Sequence, residues 1–169
     1  MTLDEARKLI AVPALHAGGP QEWADLGCGP GLFSRALLSL LPDASRIHAV
    51  DNRFYDFEEA GIQFIKADFE QDVLPLPALN GIMMANSLHF VNNKLRLLRK
   101  LKMQLRPGSI FILVEYDKAW PNPWVPYPLK FSSAGKLFQE AGLGPLEKIA
   151  ERKSVYSRAK IYSAWCRVG

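Results

Sequence analysis

Cysteine is nearly absent from this 169-residue chain: Cys28 and Cys166 are the only two, too far apart to form a CxxC or Cys/His cluster. A disulfide framework and a cysteine-based metal site therefore find no support. Histidine is scarce as well. His16, His48 and His89 stand singly, and no metal is expected. No apolar run reaches the ~20 residues that a membrane-spanning helix needs. Met1–Ile10 carries Asp4 and Glu5 and lacks the pattern of a secretory signal. The expectation is a cytoplasmic protein with no membrane association, as a monomer or homodimer. Internal repeats and low-complexity tracts are missing too.

Neither sign of charge dominates. Lys and Arg number 21 against 17 Asp and Glu, a net charge of +4. Lys94, Arg96, Arg99, Lys100 and Lys102 gather on one predicted helix; Arg152, Lys153, Arg158 and Lys160 lie near the C-terminus. Two solvated faces are the favoured reading over a nucleic-acid footprint. With 49% apolar residues, the length fits one domain over residues 1–169 with one core.

What is present is an alternation of strands and helices. Thr2 and Glu5 form a capping-box pattern before the apolar-periodic Ala6–Val12, a short N-terminal helix. Pro13 and Gly18-Gly19-Pro20 follow as a linker, so residues 1–20 are a candidate lid. Glu22–Leu26 reads as a buried strand running into glycines, and Leu32–Leu41 as a largely apolar helix closed by Pro42. Strands follow at Ile47–Val50, Ile62–Ala67 and Gly81–Ala85, ending at Asp51, Asp68 and Asn86. Val91–Leu105 is an amphipathic helix, Arg106-Pro107-Gly108 a turn, and Ser109–Val114 the most strand-like run. After the aromatic, proline-rich loop Trp120–Pro128, Ser132 or Ser133 caps a helix through Glu140; strands near Leu146–Ala150 and Lys160–Val168 close the chain. Such alternation implies an α/β fold with a parallel sheet and helices on both faces, binding ligands beyond the carboxyl ends of its strands.

Gly27, Gly29 and Gly31 occupy alternate positions before a helix, whose free N–H groups suit a small anionic or zwitterionic ligand. On the glycines alone a plain tight turn is equally acceptable. Asp51, 20 residues after Gly31 and at the end of the next strand, adds an acceptor for ribose hydroxyls. That argues for a nucleoside, either a nicotinamide dinucleotide or S-adenosylmethionine. The dinucleotide fingerprint wants its third glycine where Leu32 stands, so it is the poorer match.

In order, the motifs are Trp23-Ala24-Asp25-Leu26-Gly27-Cys28-Gly29-Pro30-Gly31, Val50-Asp51, Ala67-Asp68-Phe69, Asn86-Ser87-Leu88-His89-Phe90 and Leu105-Arg106-Pro107-Gly108. This series resembles the class I S-adenosylmethionine-dependent methyltransferases, over roughly Glu22–Tyr116. The resemblance implies a Rossmann-like, seven-stranded, mostly parallel sheet with a C-terminal antiparallel strand pair. It also implies S-adenosylmethionine as cofactor and S-adenosylhomocysteine as product. The Gly27 and Gly29 backbone would hold the methionine end, with Cys28 and Gly31 in the same turn, and Asp25 would orient it. Asp51, with Asn52 beside it, would bind the ribose. Asp68 would accept from the adenine amino group, and the Phe69 amide would meet a ring nitrogen. The Asn86 carbonyl would receive the ammonium. One departure is plain: ten residues separate Asp51 from Ile62, too few for a full crossover helix, so the second crossover helix is expected to be shortened or replaced by a loop.

His89, just past the fourth strand, is the candidate base; a packed histidine is the alternative. His48 reads as structural. Trp124 and Tyr127 form either a wall for the acceptor or a hydrophobic plug, and Arg158 offers a contact to an anionic group or a place on a solvated hairpin. Asn86-Ser87-Leu88-His89 lacks the paired prolines of methyltransferases that act on base amino groups, and a small-molecule acceptor leads over RNA or protein. A non-catalytic module that binds S-adenosylmethionine to regulate or scaffold a partner is the competing reading.

Overall fold

The computed structural model describes residues 1–56, 58–153 and 159–169. Helix α1 (Leu3–Ile10) opens on the expected capping box: Glu5 N–H donates to Thr2 Oγ1 and Thr2 N–H to Glu5 Oε2. It starts and stops earlier than its apolar pattern suggested, and a 3₁₀ turn forms over Pro13–His16, inside the stretch expected as a linker. Strand β1 (Glu22–Leu26) leads into α2 (Leu32–Leu38). That helix ends three residues early because Leu40 and Leu41 N–H tighten onto the carbonyls of Leu37 and Leu38.

Strands β2 (Arg46–Asp51), β3 (Ile62–Lys66) and β4 (Leu79–Ala85) follow. Among the described residues no helix connects β2 to β3, as the short link required. Helix α3 (Lys94–Lys102) begins at Lys94 rather than Val91. Leu88–Phe90 winds as a 3₁₀ turn, and Asn93 supplies the cap by accepting from Arg96 N–H.

Strand β5 (Leu105–Asp117) absorbs the expected Arg106–Gly108 turn; a register shift opposite Leu79 and Gly81 marks where it is irregular. Helix α4 (Phe131–Glu140) is capped neither by Ser132 nor by Ser133. Its first N–H, on Phe131, donates to Asp117 Oδ1 at the end of β5 (3.2 Å), so the cap comes from a distant element. Strands β6 (Glu147–Lys153) and β7 (Lys160–Arg167) complete the chain.

The seven strands form one sheet in the order β3-β2-β1-β4-β5-β7-β6. The first five are mutually parallel, and β7 is antiparallel to both β5 and β6. One face packs α1 and α2 around Ala6, Leu9, Ile10, Trp23, Leu37 and Met83. The other packs α3 and α4 around Leu98, Leu101, Phe111, Phe138 and Tyr162. No helix among the described residues is long and apolar enough to cross a membrane.

The basic face of α3 is not simply solvated. The Lys100 ammonium donates to the carbonyls of Phe69 (3.2 Å), Glu70 (3.3 Å) and Asp72 (2.7 Å). Lys94 is half-buried, donates to the Val91 carbonyl and lies over the Tyr127 ring. These side chains tie the loop after β3 and the loop after β5 to the helix.

Candidate functional site

Chain order places the crevice. From β1 the chain builds outward to β2 and β3, then returns to the other side of β1 for β4 and β5. The C-terminal ends of β1 and β4 therefore flank the switch point, where such sheets hold ligands. The glycine turn leaves β1 there, and Asn86 leaves β4.

The turn is stitched to β2. Gly27 and Cys28 N–H both donate to the Val50 carbonyl (2.8 and 3.1 Å). Gly29 N–H donates to Asp51 Oδ2 (3.0 Å), while Oδ1 accepts from Arg53 N–H (2.9 Å). Gly27 has φ +79°, and a Cβ there would overlap the Ser87 side chain, whose Oγ is 3.1 Å away. Ser87 is itself fixed by donating to the Leu26 carbonyl. Gly29, at φ +52°, has open space above its Cα, so its backbone can meet a ligand directly. Gly31, at φ +83°, opens α2. Cys28 is buried, and burial followed by the nearby Asp25 and Asp51 pushes its thiol above the usual range. It is an inert packing group rather than a nucleophile. Asn52 is exposed just beyond Asp51.

Asp25 lies on β1 with no exposure. Oδ2 accepts from Ser34 Oγ–H (2.6 Å), but Oδ1 has no hydrogen-bond partner. Burial pushes its pKa up to about 7; the Ser34 bond lowers it and the Asp51 charge raises it further. An acid whose folded pKa exceeds its unfolded value of 3.8 holds an extra proton when folded. Its stabilising contribution is full below about pH 4 and is lost as pH rises to about 7. We expect the urea midpoint to fall across that window by the equivalent of about 2–4 kcal/mol, and Asp25→Asn to flatten that slope. Equal slopes for the two proteins would refute the assignment.

Asp68 is partly spent on its own turn. Its Oδ1 accepts from Glu70 and Gln71 N–H (2.9 and 3.3 Å), and its N–H donates to Asp72 Oδ2. The Phe69 ring packs beside the glycine turn, 3.6 Å from where a Gly27 Cβ would sit. Asn86 adopts φ +55°, donates its N–H to the Val114 carbonyl and leaves a buried Oδ1 without a partner.

Beyond Asn86, a cavity of about 510 Å³ is lined by Asn86, His89, Tyr116, Lys118, Asn122 and Trp124, with Val125. A smaller one of about 290 Å³ shares Asn86 and Tyr116 and reaches Met1, Leu32 and Phe33. A wider hollow of about 700 Å³ lies between α3 and α4, and none of the motif residues lines it.

His89 is 2% exposed. Its Nδ1 lies 2.7 Å from Oε2 of Glu115, a fully buried carboxylate on β5, and its own N–H donates to Glu115 Oε1 (3.0 Å). Trp124 is 81% exposed at the cavity rim, so it is no plug; Val125 is the buried residue of that loop. Tyr127 is not among the residues lining the cavity with Trp124. Its N–H donates to the His89 carbonyl and its ring lies under Lys94. His48 Nε2 pairs with Glu22 away from the crevice. Arg158, with Ser154 and Tyr156, lies outside the described residues.

Sequence reasoning missed Glu115, Ser34, Tyr116, Lys118 and Asn122, and gave Ser87 no role although it stands in a motif. Among those missed, only Glu115 carried a signal, as a lone acid closing the apolar run Ile110–Val114.

Comparison with known proteins adds to this geometry. Residues 24–113 match the family described as "Methyltransferase domain". A curated relative, methyltransferase gedG of Aspergillus terreus, is 26% identical over 109 residues, 62% of this chain. The match spans only 34% of that relative's length. Among solved structures, Burkholderia thailandensis 1,6-didemethyltoxoflavin-N1-methyltransferase, with bound 1,6-didemethyltoxoflavin and S-adenosylhomocysteine, superposes with a TM-score of 0.72 at 17% identity. The alignment covers 98% of this chain and 77% of that one. A SAM-dependent methyltransferase from Aquifex aeolicus gives 0.68 at 14% identity, covering both chains fully.

Proposed function

The chain belongs to the methyltransferase-domain family, the class I S-adenosylmethionine-dependent type, and from that premise we propose that it transfers a methyl group from S-adenosylmethionine to a small-molecule acceptor. The carrying observation is the Asp51 bridge: one carboxylate holds the Gly29 amide and the amide after β2 together, leaving lone pairs for ribose hydroxyls beside an open glycine.

The residues present suit that cofactor. Gly29 leaves backbone bare where the amino-acid end would lie. Two buried oxygens without partners, Asp25 Oδ1 and Asn86 Oδ1, sit at the same strand ends and make the crevice attractive to the cofactor's positive charges. Gly27, Cys28 and Gly31 shape the turn. Asp68, Phe69 and Asn52 flank the adenosine side, and the carbonyl of Asn86 faces the ammonium. When bound, the cofactor supplies an electrophilic methyl group on a sulfonium. The protein's part is alignment and the exclusion of water. Residues 1–169 act as one domain in this reading, with Met1 lining the smaller cavity beside Asn86.

A small acceptor is favoured over nucleic acid by the engagement of Lys94 and Lys100 within the molecule and by a cavity of the size that small ligands occupy. Titration calorimetry with S-adenosylhomocysteine and with NADH tests the cofactor. Binding of the first and not the second is expected; the reverse result sinks the proposal. Binding without turnover of labelled S-adenosylmethionine against a metabolite pool would instead point to a non-catalytic module.

A further inference from the structure

The cavity beyond Asn86 is paired with a group that its size does not require: a histidine whose orientation is set from beneath by a buried acid. Glu115 occupies the first position after the apolar core of β5 and is fully buried. Three donors reach its carboxylate: His89 N–H on Oε1 at 3.0 Å, His89 Nδ1 on Oε2 at 2.7 Å, and Tyr116 N–H on Oε2 at 3.3 Å. Two backbone N–H groups donate to these oxygens, as suits an ionised carboxylate, and against an ionised carboxylate the facing Nδ1 carries the hydrogen. That leaves the lone pair on Nε2, and His89 lines the cavity. The 3₁₀ turn Leu88–Phe90 and the contact of the His89 and Tyr116 rings, 5.9 Å between centroids, hold the imidazole in place.

The lining limits what this base can serve. It holds no carboxylate among the described residues, one lysine, Lys118, and the rings of Tyr116 and Trp124. An ammonium-bearing acceptor finds no counter-charge there, and a carboxylic acid acceptor is already ionised and needs no base. A flat ring with a weakly acidic hydroxyl fits all three groups: aromatic faces against Tyr116 and Trp124, the hydroxyl on His89, and an anionic substituent near Lys118.

Building on the methyltransferase reading, we propose that Glu115 is a positioning residue that presents His89 Nε2 as general base to a phenolic or enolic hydroxyl on a planar, anionic small molecule. The hydroxyl passes its proton to Nε2 as its oxygen forms a bond to the methyl carbon. The carbon–sulfur bond breaks with its electron pair left on sulfur. The positive charge moves from sulfonium to imidazolium, which then releases its proton to water. The charged or titratable groups around His89 are Glu115 on β5, Lys94 on α3, and Tyr116 and Lys118 at the end of β5. Lys94 is half-buried and carries a charge coupled to Glu115; burial lowers its pKa.

Two probes and two variants test this. The ring hydroxyl of 4-hydroxybenzoate keeps its proton at mildly alkaline pH; that of 3-nitro-4-hydroxybenzoate is ionised there. The native protein is expected to methylate both on oxygen. His89→Gln should lower kcat on the first by about 100-fold or more and on the second by less than about tenfold, because only the first needs a base. Glu115→Gln should do likewise, and ¹⁵N NMR should show His89 passing from a single Nδ1–H tautomer to a mixture. Equal losses on the two probes, an Nε2–H tautomer in the native protein, or methylation of neither probe overturns the proposal. S-Adenosylhomocysteine affinity, measured on every variant, separates this failure from failure of the cofactor reading: it stays unchanged if only the acceptor assignment is wrong.

Discussion

Asp51→Ala is expected to weaken S-adenosylhomocysteine binding by at least about 100-fold, equivalent to about 3 kcal/mol. The carboxylate does two things that alanine cannot. It accepts the Gly29 and Arg53 amides, which keeps the turn after β1 and the start of the link after β2 in register. In the proposed cofactor complex it would also offer its remaining lone pairs to two ribose hydroxyls. Hydrogen bonds to a charged group are each worth about 1.5–3 kcal/mol, and pre-organisation of the turn is lost with them. The fold itself should survive, because Gly27 and Cys28 still donate to the Val50 carbonyl. Calorimetry on a variant with native circular dichroism is the clean measurement, with adenine alone as control. In the proposed arrangement adenine would not use Asp51, and its weak binding should change little. A variant that binds within about threefold of native affinity would remove Asp51 from the site.

The largest effect on stability is expected at a residue that no motif contains. Gly81 on β4 faces Trp23 on the adjoining β1 in register. A Cβ at Gly81 would fall 2.5 Å from Trp23 Cζ2 and nearer still to Cη2 and Cζ3. The indole cannot retreat: it is fully buried, and its N–H donates to Gln21 Oε1 at 2.8 Å. Overpacking of this kind costs about 1–3 kcal/mol or more, and at the centre of the sheet we expect the upper end for Gly81→Ala. A second change that makes room, Trp23→Leu, should be destabilising alone yet less so in combination. The cycle should return a coupling of about 1 kcal/mol or more in urea unfolding. Strict additivity of the two changes would show that the backbone, not the ring, absorbs the added methyl.

The two cases show different degrees of legibility. The place of Asp51 was readable because it depends on spacing along the chain: an acid that ends the strand after a glycine turn. The same holds for Asp25, Asp68 and Asn86, since strands that run parallel put their ends on one edge whatever their sequence. The capping box at Thr2 and Glu5 and the loop in place of a second crossover helix were local matters too, and the structure has both. The start of α4 was misplaced for a tertiary reason. Asp117 caps α4 from a strand thirteen residues upstream of that helix's N-cap, Lys130. Lys100 was grouped with solvated bases because helical periodicity shows only which face a residue takes. It carries no information about the three carbonyls that the loop after β3 brings beneath it.

The cavity beyond Asn86 was the least legible part. His89 stood out as a histidine past a strand end, but its partner Glu115 lies 26 positions away on another strand. Trp124 and Tyr127 looked equivalent in the proline-rich loop, and the loop's path separated them: one ring lies at the cavity rim, the other under Lys94.

By itself, then, the order of residues determined the sheet-and-helix alternation, the family and the strand edge that carries Asp51, Asp68 and Asn86, because each rests on short spacings and on the fixed geometry of parallel strands. Only the tertiary structure decided which buried acid holds His89, which glycine exists to seat a tryptophan, and which aromatic ring borders the cavity beyond Asn86. Those relations are set by packing between strands and loops remote in sequence, and packing leaves no periodic mark along the chain.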